Sequence, residues 1–325
     1  MATVSLGQAT AVAFEKMAGT GPEDNVFTSQ FLLFMMKGGK SFRQLDGGRT
    51  IEESLEYAEN TTFRSYSDEE TLDTNRVDSF DAARFDWKEI GGTTNISNLE
   101  RVKYSGSSAK FDFVAAKASN AKNSMFAALN RMLYGDGTGN GGKDVTGLGL
   151  LVAVTATSGT VGGIDRATWA FWRNRATTSA KTSTVFDNLR GSMRSTYNNC
   201  SKGAFDEHPE WFVFDQTSFQ GYESLLTTNE RFTNQDKSGA VDGSFKNEML
   251  KFKACKVAFD EDCTAGYGYC GNTRNLKLNY PTGGWAKGWP PVVPANQTVE
   301  IVKYTTVCQT SINNPRRLGV ISGIT

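Results

Sequence analysis

SGSSAKFDFVAAKASNAKNSMFAALNRMLYGDGTGNGG, residues 105–142, is the stretch around which the rest of the chain is arranged. Val114, Ala118, Ala121, Met125, Leu129 and Met132 recur at spacings of three and four, the period of one buried helix face. Ser107 or Ser108 can cap its start. Gly135 stands just past the last periodic residues, where a chain leaving a helix favours glycine. A helix of about 26 residues is roughly 40 Å long at 1.5 Å per residue. The pattern fits an ordinary core helix, and the length suits a strut across a plate-like molecule.

Outward from the helix, composition sets limits. The 325 residues carry 35 Lys plus Arg against 35 Asp plus Glu, a formal charge of zero, so this is no globally basic nucleic-acid binder. Glycine is abundant at 33, and helical and strand patterns interleave, which points to an α+β fold. Residues 1–20 lack a basic start followed by a long apolar core, and FLLFMM (31–36) is far too short to span a bilayer. A soluble, cytosolically made protein with no membrane partner is expected. The Asn-x-Ser/Thr sites at Asn60, Asn95 and Asn296 then have no glycosylation meaning.

Before the helix, residues 1–46 read as an arm with one short helical segment at 26–37, closed by Lys37, Gly38 and Gly39. After Gly47-Gly48 the alternation of Thr62/Arg64 against Phe63/Ser65, and of Arg84/Asp86/Lys88 against Phe85/Trp87, predicts two strands of an extended hairpin. SDEETLDTNRVD (67–78) is its polar tip. Residues 49–89 hold twelve carboxylates against five basic side chains, a balance of −7, so the remainder is +7. An isolated hairpin is marginal in water and survives best lying on something. A basic surface on a sister subunit is the candidate. Glu52, Glu53 and Glu56 would meet Lys110, Lys117 and Lys122, spaced along the polar side of the helix.

After the helix, GLGLLVAV (147–154) reads as a buried strand or a core crossing. Phe186, Leu189, Met193, Tyr197 and Cys200 mark an amphipathic helix. WFVFD (211–215) is a buried strand, FQGYESLL (219–226) a helix and MLKFKACKVAFDED (249–262) another strand. GGWAKGWPPVVP (283–294) has glycines and prolines enough to forbid regular structure. Residues 297–325 alternate as strands, with the long helix as the obvious partner.

Chemistry is sparse. Gly137, Gly142 and Lys143 have phosphate-loop spacing, but Asp144 stands where Ser or Thr should bind magnesium, and the loop follows a helix C-terminus, the wrong end of the dipole. Asp136, Thr138, Asn140 and Gly141 mimic the start of a calcium loop whose twelfth position, Gly147, lacks the bidentate glutamate. Cys200, Cys255, Cys263, Cys270 and Cys308 are odd in number and are expected reduced. With His208 the only histidine, neither a tetrahedral zinc site nor a serine triad is expected. Trp285 and Trp289 in a loop either pack on their own domain or form a sugar-stacking platform. No catalytic, cofactor-binding or metal-ligating residue emerges. An arm, a long acidic hairpin, a strut and an inserted domain are what a subunit needs to interlock with copies of itself.

The order of parts resembles the major capsid protein family of tailed double-stranded DNA phages, with its Hong Kong 97-type fold. LYGDGTGNGG (133–142) is similar to the motif ending the family's spine helix. GLLVAVTATSGTVGGIDRATWAFWRN (149–174) looks like the segment leading into its axial domain, and NNPRRLGVISGI (313–324) like its closing strand. The resemblance implies an N-terminal arm (1–46), an extended hairpin loop (47–103), a peripheral domain (104–152 with 296–325) and an axial domain (153–295). It implies self-assembly into pentamers and hexamers enclosing double-stranded DNA, in a virion capsid assembled in the host cytoplasm. A portal protein, a separate scaffolding protein and, in some members, a decoration protein are the implied partners. No enzymatic activity and no cofactor are implied. Some members cross-link a lysine of the extended loop to a neighbour's asparagine; Lys88 is the only lysine between 47 and 90 and sits near the hairpin base, so non-covalent assembly is expected. Two other readings are a cellular nanocompartment shell of the same fold and a calcium-dependent sugar-binding module.

Overall fold

The computed structural model describes residues 30–39, 41–103, 107–179, 188–201, 207–227, 250–253 and 255–324, with the backbone alone at 101 and 107–115. Residues 1–29 of the expected arm lie outside these, as do the side chains of Val114, Lys110 and the expected caps Ser107 and Ser108.

The long helix spans Ser107–Tyr134, 28 residues, and lies along the strand Lys88–Ser97. Ala118, Ala121 and Met125 are half-buried, and burial becomes complete only near its end, at Leu129, Asn130, Leu133 and Tyr134. The helix is therefore half strut and half core. The glycine with a left-handed backbone after it is Gly137, at φ 83°, rather than Gly135. The amide of Gly149 donates to the Gly135 carbonyl at 3.0 Å, satisfying a group that a helix end leaves open.

Lys88–Ser97 pairs antiparallel with the 14-residue strand Val299–Ile312, from Ser97–Val299 to Lys88–Cys308. The other side of the long strand takes Leu276–Pro281 and the short Lys287–Gly288. Phe42–Leu45 runs parallel to Leu276–Pro281, making five strands in this sheet among the described residues. Register puts Leu276, Leu278 and Ile312 on one face, where they join Leu129, Leu133, Leu148 and Leu151 in one core. Each such leucine contributes about 2 kcal/mol on burial.

Among the described residues the second sheet has six strands, in the order Arg175–Thr178, Gly319–Ser322, Tyr267–Gly271, Trp211–Phe214, Cys255–Phe259, Leu250–Phe252. Every residue of Trp211–Phe214 is buried, as an apolar run covered on both faces requires. Asp215 then starts the helix Gln216–Thr227 by accepting from the Ser218 amide at 3.3 Å. That helix and Leu189–Ser201 close a second core of Met193, Phe212, Phe214, Tyr222, Val257 and Ile321.

Four details depart from the sequence reading. The last strand, Gly319–Ser322, expected with the long helix, is hydrogen-bonded between Tyr267–Gly271 and Arg175–Thr178 in the six-stranded sheet. The turn Pro315–Arg317 redirects the chain from one sheet to the other. Residues 147–154 form a helical turn, Leu148–Leu151, because Leu148 and Leu151, three apart, are both buried. The first hairpin strand is Thr50–Glu56, not the stretch around 62–65; there Asn60 Oδ1 accepts from the Thr62 amide at 3.0 Å in a local turn, and Phe63 is 85% exposed. Within 283–294, Lys287–Gly288 pairs with Tyr304 and Thr305, and Val292 bridges to Ile301.

Candidate assembly surface

The hairpin is a two-stranded ribbon, Thr50–Glu56 against Phe80–Asp86, in register from Thr50–Asp86 to Glu56–Phe80. Alternation turns Ile51, Glu53 and Leu55 inward, and Ala83 and Phe85 join them from the opposite strand. Beyond the ribbon, residues 57–79 run as a long polar excursion with exposed Phe63, Tyr66 and Leu72; Phe80 at its foot is exposed too. Four large apolar side chains thus face solvent on a segment with almost no core of its own. Tyr57, at the root, stacks on Phe171 at 5.5 Å and meets the edge of Trp169 at 5.5 Å, which fixes where the excursion leaves the body.

The six residues proposed from sequence as a docking set do not behave alike. Glu52 is exposed and pairs within the ribbon with Arg84 at 3.1 Å, also exposed; such a pair contributes little. Glu56 is exposed. Glu53 is only 4% exposed and is taken up inside the chain, by Arg43 at 2.5 Å, Lys277 at 2.9 Å and Ser311 at 2.8 Å. It therefore leaves the docking set, because a carboxylate already satisfied by two cations has nothing to offer a neighbour. Its inward parity in TIEESLE was readable; its partners, far away in sequence, were not.

Lys117 is also engaged within its own chain. Its ammonium donates to the Asn95 carbonyl at 2.8 Å and to Glu100 Oε2 at 2.9 Å. The hydrogen bond from Lys117, followed by the Ser97 amide, holds the Glu100 carboxyl below its ordinary range despite some burial. Glu100 and Ser97 form a reciprocal capping box, Ser97 N to Glu100 Oε2 at 3.1 Å and Glu100 N to Ser97 Oγ at 3.3 Å. Lys122 is exposed, with its ammonium 5.9 Å from the Phe126 ring, and remains available. Lys110 has its side chain outside the described residues.

The sequence reading missed a buried polar junction. Asn130, on the long helix, donates its amide to Asp260 Oδ1 at 3.0 Å and Asp262 Oδ2 at 2.8 Å. Asp260 also accepts from the Leu32 amide at 3.3 Å, at the start of the short helix Phe31–Gly38, and from the Asp262 amide at 3.1 Å. Burial raises the Asp260 carboxyl, against the hydrogen bonds that favour its charge. Burial first, then the Asp260 charge, pushes the Tyr134 phenol up as well. One carboxylate thus ties together three segments.

The motifs with chemical echoes resolve into structure. Asp136 Oδ1 is occupied by the Thr138 amide at 2.9 Å and hydroxyl at 2.7 Å, and Lys88 donates to the Gly142 carbonyl at 2.5 Å. Among the described residues no group of three or more His, Cys, Asp or Glu is placed to hold a metal ion. No described helix is long and apolar enough to cross a membrane. Trp285 packs into Phe42, Tyr280 and Phe126, while Trp289 bonds to Thr305 Oγ1 at 2.9 Å under Lys287. His208 is exposed and stacks on Tyr197.

No protein-family model matches the chain, and no curated protein does. Solved structures match over almost its whole length. A chain of the capsid asymmetric unit of cyanophage A-1(L) superposes with a TM-score of 0.64 at 16% identity, over 94% of this chain and 95% of that one. The fold is of the Hong Kong 97 type. A chain of the capsid of Myoviridae phage XM1 shares it at a TM-score of 0.58 and 11% identity, over 99% of this chain and 100% of that one. So does the holo-SrpI encapsulin of Synechococcus elongatus PCC 7942, at 0.60 and 11%, over 97% and 96%. In this version of the Hong Kong 97-type fold, Glu53 joins the ribbon to the five-stranded sheet, and Asn130 joins the long helix to the segment that follows Cys255–Phe259.

Proposed function

We propose that this chain is a major capsid protein, whose copies close into pentamers and hexamers to form the icosahedral head shell around the double-stranded DNA of a tailed phage. The observation that carries this reading is the end-to-end likeness in fold to phage capsid chains, covering 94% of this chain in one case and 99% in another. The exposed hairpin supports it. Its carboxylates and its uncovered Phe63, Tyr66 and Leu72 suit a neighbour's surface better than solvent. Weak contacts repeated by symmetry sum to a closed shell.

In this reading residues 1–46 are the arm, 47–103 the extended hairpin loop, 104–152 with 296–325 the peripheral domain and 153–295 the axial domain. Gly319–Ser322 would then lace the peripheral segment into the axial sheet. The chain would assemble in the host cytoplasm with a portal protein, a separate scaffolding protein and, in some systems, a decoration protein. It would act without catalysis or cofactor and without a membrane partner, and reside in the virion.

Negative-stain imaging of the expressed protein tests the reading. Closed shells of uniform diameter are expected; monomers alone, even when phage partners are co-expressed, would overturn it. The likeness to the SrpI encapsulin supports a second reading, a cellular nanocompartment. Terminase and portal genes beside this one favour the phage; a cargo enzyme gene favours the compartment.

A further inference from the structure

We infer that Glu53 is the positioning residue that sets the direction in which the hairpin leaves the sheet, and with it the angle at which one subunit meets the next; the second half rests on the shell-forming reading. The ribbon has no third strand among the described residues. Its apolar contacts, through Ile51, Leu55, Ala83 and Phe85, are non-directional, and on the strand Phe80–Asp86 a single backbone hydrogen bond, from the Arg84 amide to the Gly162 carbonyl at 2.9 Å, adds a fixed point. Hydrogen bonds to a carboxylate are directional, and Glu53 uses both of its oxygens.

Oε1 accepts from Arg43 Nη2 at 2.5 Å and Ser311 Oγ at 2.8 Å, and Oε2 accepts from Lys277 Nζ at 2.9 Å. The three donors belong to three strands, Phe42–Leu45, Val299–Ile312 and Leu276–Pro281, so the carboxylate is fixed from three sides. The donors are themselves oriented. Arg43 Nε donates to Asn279 Oδ1 at 2.7 Å, and Asn279 Nδ2 donates to Ser311 Oγ at 2.7 Å.

Register explains why the clamp lies here. Arg43 is opposite Asn279, Asn279 opposite Gln309, and Lys277 opposite Ser311, so all five share one face of the sheet. The opposite face carries the leucines of the core. The face under the ribbon is therefore polar and doubly cationic, and Glu53 is the inward carboxylate the ribbon brings to it. Without that charge, Arg43 and Lys277 repel across a partly buried gap, and the strand Thr50–Glu56 can pivot about the Arg84–Gly162 hydrogen bond and the Tyr57 stack. Residues 58–79 lie beyond these anchors, so a small rotation at Glu53 displaces the tip by much more.

Hydrogen exchange on the unassembled chain and particle diameters by cryo-electron microscopy test this with Glu53→Gln, Glu53→Asp and the exposed control Glu52→Gln. Glu53→Gln is expected to speed exchange in 50–56 and 80–86 by roughly tenfold, leave the long helix at wild-type protection, and give particles of mixed diameter or open sheets. Glu53→Asp should fall between, and Glu52→Gln should match wild type. Uniform acceleration throughout the chain, or uniform wild-type shells from Glu53→Gln, would overturn the inference. If Glu53→Gln does not fold, Arg43→Met, which leaves Glu53 its lysine, should shift both readouts the same way by less; no shift overturns the inference. If wild-type protein forms no particles, the shell reading fails, while exchange still decides whether Glu53 fixes the ribbon.

Discussion

Gly147 lies against the end of the long helix so closely that a β-carbon at its position would stand 2.3 Å from the Met132 carbonyl oxygen. The carbonyls of Leu133 and Gly135 would be 2.5 and 2.6 Å from the same atom. All three obstacles are backbone, so no rotamer change relieves them. The residue that denies the loop a calcium ligand is the one that lets the chain fold back over the helix terminus. Gly147→Ala is expected to cost about 3 kcal/mol, at the upper end for overpacking. Gly38→Ala, with nothing within 4 Å of the added carbon, should stay within about 0.5 kcal/mol of wild type. Urea unfolding of both variants measures the difference.

Asp260 gives a pH dependence of known sign. Burial raises its carboxyl above the ordinary range, although the amides of Leu32 and Asp262 and the side chains of Tyr134 and Asn130 oppose the shift. The native state therefore holds a proton that the unfolded chain releases between the ordinary carboxylate pKa and the raised one. In that window stability falls as pH rises. Relative to Asp260→Asn, wild type should gain stability as pH is lowered through the raised value, and the gain should level off near the ordinary one. Parallel urea titrations across this range test it. A wild-type curve parallel to that of Asp260→Asn would show that the group does not titrate differently on folding.

How much of this was legible beforehand differs from element to element. The long helix was, because a buried stripe at period 3.6 is a local signal, and the expected length of about 26 residues compares with 28 observed. WFVF was too, since an apolar run before a helix cap leaves little choice. The sheet to which Gly319–Ser322 belongs was not, because an apolar strand does not declare its neighbours. The clamp was half legible: parity in TIEESLE turns Glu53 inward, but Lys277 and Ser311 lie 224 and 258 residues away. Asn130 was hidden by its own helix, where a polar residue looks like the solvent side until a buried carboxylate is found opposite.

The thiols yield a prediction of silence. All five cysteines are buried and unpaired. Burial pushes Cys255 and Cys308 up to about 12, and raises Cys263 and Cys270 as well. Since the thiolate is the nucleophile, neither access nor ionisation favours reaction of those four near pH 8, and burial denies access to Cys200. Native protein should react with Ellman's reagent no faster than it unfolds, and all five groups should react in guanidinium. Fast titration of even one thiol would show a core that opens locally.

The hairpin's charge can now be tested separately from its anchorage. Glu52 and Glu56 are exposed, and the Glu52–Arg84 pair is too solvated to matter much for stability. Reversing both to lysine moves the balance of residues 49–89 from −7 to −3 without touching the Glu53 clamp. Glu52→Lys/Glu56→Lys should therefore keep the stability of the unassembled chain within about 0.5 kcal/mol. If the ribbon docks on a basic surface of a sister subunit, with Lys122 the exposed member of the original set, assembly should weaken. The defect should be greatest at low salt, because the Debye length is about 30 Å at 0.01 M and only about 3 Å at 1 M. Light scattering should put the onset of assembly at roughly tenfold higher protein concentration in dilute buffer, with the gap closing as salt is added. A variant that assembles like wild type at every ionic strength would leave Phe63, Tyr66 and Leu72 as the contacts that hold the hairpin down, and their replacement by serine would be the next measurement.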